Sequence, residues 1–478
     1  MAIDLMPLVE FFIIISDILF LLVLLVTEKK NPSKIVVWAL VFLILPFVGF
    51  ILYIFIGQTV YSDRAFRIKS LNDEKTKELV DYDKSVADNE EVPEYRQLAK
   101  TMQNFGSIGY TTNNTVRLFT LGDDKFEALY SDLRAAKRYI YLEYYIIRND
   151  ELGNELMNIL TEKVKEGVEV KLLTDYFGWG KGPQKSIKAF KAAGGQFALF
   201  HSVIALALSP KKNNRNHRKL AVIDGEIGYC GGFNIGDEYL GKGPLGFWRD
   251  TAVRVVGAAV PAIHLRFEMD WEYAHGTPAQ NLADLYKDVK IDVSGDAKAI
   301  VVSGGPDVAE FNPVRMQYLT MINNAKKSVY IHSPYFIPDN SIKDALSLAA
   351  ARGVDVKVII PDKPDHLFVF WNNISSAYDV MLNGVKVYMY NRGFVHSKTM
   401  VVDGEYCSVG SANFDDRSLV LNFETNLLVM SKQLGAEMNA AYEEDLKYCT
   451  EYTKEKFEHL TLFQSIRLVI SRLFVNLT

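Results

Sequence analysis

The strongest constraint on this chain is a spaced frame that it carries twice. The first copy, NHRKLAVIDGEIGYCGGFN, runs from Asn216 to Asn234. About 180 residues later, VHSKTMVVDGEYCSVGSAN runs from Val395 to Asn413. Both obey His-x-Lys-x4-Asp-x6-Gly-[Gly/Ser]-x-Asn, so His217 aligns with His396, Lys219 with Lys398, Asp224 with Asp403 and Asn234 with Asn413.

The frames close two longer parallel series. AAKRYIYLEYYIIRND (135–150) matches NAKKSVYIHSPYFIPD (324–339), and KEGVEVKLLTDYFG (165–178) matches ARGVDVKVIIPDKP (351–364). AAGGQFALF (192–200) matches LNGVKVYMYN (382–391). Helix ends alternate with apolar, β-branched strands at crossover-length spacing, which predicts α/β domains with mainly parallel sheets flanked by helices. A chain of 478 residues exceeds what one core usually holds, in line with an internal duplication whose boundary falls near 289–300. The expected division is a membrane anchor over 1–60, a polar helical connector over 61–104, and duplicated domains over 105–292 and 293–478.

Strand alternation predicts that His217 and Lys219 share one face, as do His396 and Lys398. An imidazole beside an ammonium suits a phosphate: the amine neutralises oxygens while the imidazole attacks phosphorus or moves a proton. Asn234 and Asn413 add amide donors, and Gly231-Gly232 and Gly410-Ser411 permit close backbone approach. One copy supplies half of what a phosphoryl-type transfer requires, so the repeat reads as one site divided between two domains. Asp224 and Asp403 complete the frame and are grouped with its catalytic residues. Their odd spacing from the histidines nevertheless points them to the opposite face, as turn or ion-pair residues.

The N-terminus reads as membrane anchor. Phe11–Val26 is a 16-residue apolar run broken by Ser16 and Asp17, and Ile35–Ile56 is 22 residues without a charge, long enough to span a bilayer. The acidic start, with Asp4 and Glu10, does not suit a cleaved signal. Basic residues flank the second run about equally, so orientation stays open. The segment LFQSIRLVISRLFVNL (462–477) carries an apolar helical stripe that either packs on the domain or lies in the membrane interface. Net charge of −5 argues against a general nucleic-acid binder. Cys230, Cys407 and Cys449 read as free thiols, and no metal-ligand spacing appears.

The frames resemble the HKD motifs of the phospholipase D superfamily, and EYYIIRND, GGFNIGDEYLG, WRDTAVRVVG, SPYFIPD and GSANFDDRSLVLNFETN resemble segments of bacterial cardiolipin synthases. The resemblance implies two phospholipase D-like domains plus N-terminal transmembrane helices in a bacterial cytoplasmic membrane, multi-pass. It implies transfer of a phosphatidyl group between two phosphatidylglycerols through a phosphohistidine, with no metal or cofactor. The partners are anionic phospholipids (phosphatidylglycerol, cardiolipin) and the membrane, and no nucleic acid; the oligomeric state stays open, with a homo-oligomer among the options. His217 is the expected nucleophile and His396 the acid, then base. Asp250 and Glu424 are the expected orienting carboxylates, with Glu424 beside His396 and raising its pKa. The basic run Lys211, Lys212, Arg215, Arg218, Lys219 either attracts headgroups or is a solvated face. The stretch HSVIALALSPKK (201–212) is more apolar than the resemblance leads one to expect. A phospholipase D hydrolase or a phosphatidylserine synthase would use the same frames. A nuclease or an inactive scaffold fits less well.

Overall fold

The computed structural model describes residues 6–27, 32–53, 64–78, 84–180, 182–201, 214–277, 295–308 and 311–475. Among the described residues, one mixed sheet of 16 strands runs through both repeats, with two further two-stranded sheets beside it. Its two halves mirror each other in order. In the first half, Tyr139–Tyr144, Glu169–Thr174 and Gln196–Leu199 pair in parallel toward the outer edge. In the second half Ser328–His332, Asp355–Pro361 and Lys386–Tyr390 do the same. These six strands are the parallel, βαβ-type part that the sequence pattern predicts.

The inner strands are antiparallel. Leu220–Ile223, Ile227–Gly231 and Ala252–Gly257 form one meander, and Thr399–Val402, Tyr406–Gly410 and Asn422–Met430 form the other. The halves join where Ile108–Phe119 pairs antiparallel with Ala297–Gly304. The sheet is therefore mixed, because each frame contributes a tight hairpin instead of a crossover. Asp224-Gly225 and Asp403-Gly404 make those hairpin turns, with φ of 53° and 69°, and 56° and 68°. Two successive positive φ angles are what an Asp-Gly hairpin turn provides.

One apolar core cluster bridges the repeats, combining Leu220, Cys230 and Val253 with Val401, Cys407 and Phe423. Cys230 and Cys407 are buried free thiols there. Helix Val260–His275 is buried nearly all round over its first three turns. Against it lies helix Arg64–Glu78, from the stretch expected to be a polar connector. That expectation is corrected: Lys69 is buried, with Asp73 at 2.7 Å, Asp270 at 3.2 Å and Asp307 at 3.3 Å. Helix Pro93–Asn104 likewise adds Tyr95, Leu98 and Met102 to the second repeat's core.

At the N-terminus, helices Met6–Thr27 and Pro32–Ile44 pack together through Phe20, Trp38 and Phe42, and Tyr53 from beyond the second helix joins the cluster. Within the stretch Ile35–Ile56 expected to span, the helix ends at Ile44, the chain turns at Pro46, and a helix resumes at Val48–Leu52 after Phe47 at φ 59°, while residues 54–56 lie outside the described residues. Proline lacks the N–H that would continue the ladder, so the chain turns there. Among the described residues no helix is long and apolar enough to cross a membrane. The outer faces are apolar and exposed, with Phe11, Phe12, Ile18, Leu22 and Leu43 uncovered. The apolar stretch after His201 lies outside the described residues.

Candidate active site

Each frame histidine is placed by the other repeat. The short strand Arg215–Asn216 pairs in parallel with Asn422–Phe423, and the His217 N–H donates to the Phe423 carbonyl at 2.9 Å. In mirror image, Gly393–Val395 pairs with Phe247–Arg249, and the His396 N–H donates to the Arg249 carbonyl at 2.7 Å. Residues 217–219 and 396–398 are thus extended links between strands, and the regular strands start at Leu220 and Thr399.

The carboxylates follow this exchange. The His217 Nδ1 meets both oxygens of Glu424 at 3.0 Å, and the His396 Nδ1 meets Asp250 Oδ2 at 2.6 Å. The expected pairing of Glu424 with His396 is therefore corrected: Glu424 holds the histidine of the first repeat. Fixing Nδ1 leaves Nε2 of each ring as the reactive nitrogen. Both carboxylates are fully buried, and the histidines keep 9% and 8% of their surface. Ser411 donates to Glu424 Oε2 at 2.5 Å, and Asn422 Nδ2 to Oε1 at 3.2 Å. Opposite Asp250 stands Gly232, where an added Cβ would come 2.2 Å from Asp250 Oδ1. The shorter acid is met by backbone and the longer by a serine.

The lysines are buried beside them. Lys219 Nζ donates to the His217 carbonyl at 2.5 Å, and Lys398 Nζ to the His396 carbonyl. Burial is the largest influence on all four bases. It holds Lys219 down to about 7 against the pull of Glu424, and Lys398 down to about 8 against that of Asp250. It also lowers His217, and it takes His396 to about 4 with Lys398 adding to the effect. The expectation of a raised His396 pKa is corrected: burial and the neighbouring lysine outweigh the carboxylate. Burial, the largest single influence, raises the Glu424 carboxyl, but His217, Lys219 and Ser411 together outweigh it and leave it below its usual range. A buried cluster of reluctant cations is a site built for an anion, whose arrival favours every protonated form.

Asn234 accepts from the Ile146 N–H at 3.2 Å, and the buried Asn413 Oδ1 has no hydrogen-bond partner among the described residues. The frame aspartates do not enter the site. Asp224 accepts the backbone N–H groups of Lys137, Arg138 and Tyr139, and Asp403 those of Lys326, Lys327 and Ser328. Their grouping as catalytic is corrected to the turn role. The basic run also divides. Arg218 is buried against Asp270 at 2.6 Å, Arg215 stacks on Phe177 at 3.7 Å, and Lys211 and Lys212 lie outside the described residues. Arg218 is neither a solvated cation nor a headgroup lure.

The geometry explains why the similarity to known proteins spans both repeats. The family model described as "Cardiolipin synthase, PLD-like domain" matches residues 129–243 and 318–446, and "Phospholipase_D-nuclease N-terminal" matches 12–58. A cardiolipin synthase of Staphylococcus aureus is 39% identical over 96% of this chain and 94% of its own. The chain belongs to the bacterial cardiolipin synthases of the phospholipase D superfamily. It is a phosphatidyltransferase. Cardiolipin synthase 2 of Staphylococcus epidermidis is 37% identical over 96% of this chain and 95% of its own. The solved phosphatidylserine synthase of Haemophilus influenzae, at 14% identity and TM-score 0.59, covers 80% of this chain and 98% of its own, and shares the fold.

Three aromatic residues complete the site without having been singled out from the sequence. Tyr145 meets His217 edge-on at 5.1 Å, Trp248 lies 5.3 Å from His396, and the Tyr239 hydroxyl sits 3.3 Å from His396 Nδ1. Trp248 is two residues before Asp250, so the short parallel strand that carries the acid brings it along. Tyr239 follows Asn234 by five residues, a spacing without a signal of its own.

Proposed function

We propose that the enzyme forms cardiolipin and glycerol from two phosphatidylglycerols by double displacement, with His217 as nucleophile. The observation that carries this reading is the crossed pair of buried histidine–carboxylate contacts, which presents two Nε2 atoms to one anion-seeking space. In the first step His217 Nε2 attacks phosphorus, the bond to the headgroup glycerol oxygen breaks, and His396 Nε2 delivers the proton that glycerol carries away. In the second step a terminal hydroxyl of another phosphatidylglycerol attacks the phosphohistidine. His396 takes the hydroxyl proton, the P–N bond breaks, and cardiolipin leaves. Splitting the displacement lets one constellation serve both the leaving group and the acceptor. Lys219, Lys398, Asn234 and Asn413 bind the phosphoryl oxygens where charge develops. Glu424 and Asp250 act on the reaction through the histidines that they orient.

The bound anion supplies the protonated His396 that the first step needs, because it reverses the cost of burying an imidazolium. The order of the two histidines rests on the resemblance of the first frame to the nucleophilic motif of the superfamily, since the geometry is nearly symmetric. The site joins the repeats 105–292 and 293–478, with 61–104 linking them to the apolar segment over 1–60. The exposed apolar faces of that segment support its insertion in the cytoplasmic membrane, where the substrates reside. The test is to supply the purified enzyme with headgroup-labelled and phosphate-labelled phosphatidylglycerol in detergent and to resolve the products. Cardiolipin and free glycerol in equal amounts are expected. Phosphatidate as the main product would replace the reading with hydrolysis.

A further inference from the structure

The C-terminal helix Leu462–Val475 packs along helix Leu367–Met381, and over residues 462–472 it does so through one edge. Leu468 reaches the second repeat's core, Ser471 is buried, and Arg472 binds Ser375 Oγ and, at 3.2 Å, Asp379 Oδ1. Both partners lie on helix Leu367–Met381. The described part of the apolar stripe read from the sequence, residues 462–470, faces the other way. Phe463 is 78% exposed, and Leu462, Ile466, Val469 and Ile470 are exposed beside it. An amphipathic helix that served the fold alone would turn that stripe inward.

The supporting helix is tied to the active site. Asn373 Nδ2 donates to the Pro334 carbonyl at 2.7 Å, and its Oδ1 accepts the Phe336 N–H at 2.8 Å. The strand Phe336–Ile337 pairs with Phe414–Asp415, directly after Asn413. At the start of the same helix Leu367 and Phe368 are exposed, two and three residues after Asp365, which accepts the Tyr335 hydroxyl. Exposed Arg467 lies within the first apolar stretch, and exposed Lys363, next to exposed Asp362, precedes the second. Apolar side chains with flanking cations, mounted on an element fixed to the site, match an anionic lipid surface better than a water-facing one.

We propose that the outward face of helix Leu462–Val475, with Leu367 and Phe368, lies in the membrane interface and seats the second repeat against the headgroup layer. This contact is separate from the N-terminal apolar segment, and it rests on the phosphatidyl-transfer reading only for its purpose. A buried phosphotransfer site must take the phosphate of a two-chain lipid that stays in its bilayer, so the site has to be held at headgroup depth.

The test uses the full chain in nanodiscs of phosphatidylglycerol and phosphatidylcholine. Phe463→Cys, in a Cys449→Ser background, carries an environment-sensitive fluorophore, and Glu437→Cys on an exposed helix position is the control. With the face in the bilayer, lipids brominated on their acyl chains quench the label at 463 about twofold or more, and aqueous iodide does not. The control shows the reverse. Quenching by iodide alone at both positions would overturn the proposal. Protection from both quenchers would overturn it too, by placing a second copy of the chain on this face. Joint replacement Ile466→Asp and Val469→Asp should lower turnover on bilayer phosphatidylglycerol about tenfold and leave turnover on a water-soluble short-chain phosphatidylglycerol within about twofold. Equal turnover on bilayers would count against the proposal. Absence of cardiolipin from the unmodified enzyme with either substrate would overturn the reaction, while the quenching pattern would still decide the contact.

Discussion

The two repeats carry the same frame and mirror-related hairpins, yet they support their histidines differently. Asp250 stands against the bare backbone of Gly232 and is also reached by the Thr251 N–H at 2.7 Å. Glu424, one methylene longer, stands against Ser411 and Asn422. Each acid serves the histidine of the other repeat. The comparison teaches that neither repeat contains a working half-site, because the acid a repeat carries points across the seam.

The largest effects should come from the groups proposed to meet phosphorus and its oxygens, and here the halves should behave alike. His396→Ala should cost about 10²- to 10⁴-fold in turnover. Lys219→Ala, Lys398→Ala, Asn234→Ala and Asn413→Ala should each cost roughly 100- to 1,000-fold, about 3–4 kcal/mol in the barrier, with melting temperature little changed. Near-normal turnover in one lysine variant but not its counterpart would break the symmetry of the clamp.

The supporting residues should separate the halves. Gly232→Ala must displace the Asp250 carboxylate, whereas Ser411→Ala removes one hydrogen bond to Glu424. The first should lower turnover by tens-fold or more, and the second by about tenfold, close to the 1–1.5 kcal/mol of one such bond. A double-mutant cycle sharpens the point. Glu424→Gln with His217→Ala should be strongly non-additive, and Glu424→Gln with His396→Ala less so.

The depressed lysines give a protonation signature. Between pH 7 and about 10.4, the usual lysine value, the folded protein binds fewer protons at Lys219 and Lys398 than the unfolded chain does. Their contribution to stability therefore rises with pH across that window and is least favourable below it. An oxyanion in the site restores the ammonium forms, so binding of tungstate at pH 8 should take up about one proton. Calorimetry in two buffers of different ionisation enthalpy reads this, and proton release would contradict it. The smallest effect on chemistry should follow Asp224→Asn and Asp403→Asn. Each loses charge-assisted bonds to backbone N–H groups, costing about 1–3 kcal/mol of stability, while turnover of the folded enzyme stays within a few-fold. A large loss of turnover at full stability would return the aspartates to the site.

The duplication, the parallel outer strands, the frame residues and the turn role of Asp224 and Asp403 were all legible, because spacing and strand period report on contacts within a repeat. The pairing of Asn422–Phe423 with Arg215–Asn216 was not, since it joins segments about 200 residues apart by two backbone rungs. That pairing decides which histidine Glu424 meets. The direction of the His396 pKa is hidden for a related reason: the carboxylate is visible in the sequence, but the extent of burial is not. The apolar stripe of 462–477 is visible in the sequence, but the direction its described part faces depends on Arg472 reaching Asp379.

The most direct measurement is to trap the intermediate on a substrate with a good leaving group. With phosphate-labelled phosphatidyl-p-nitrophenol, expulsion of the leaving group needs no acid, so only attack and the later transfer depend on the histidines. After a rapid denaturing quench and peptide mapping, label is predicted on His217. It should accumulate in Asp250→Asn, where His396 is left unoriented, and be largely lost in Glu424→Gln. Label on His396 with that dependence reversed would exchange the two roles while keeping the crossed pairing. Label on His217 that is lost in Asp250→Asn and persists in Glu424→Gln would contradict the crossed site itself.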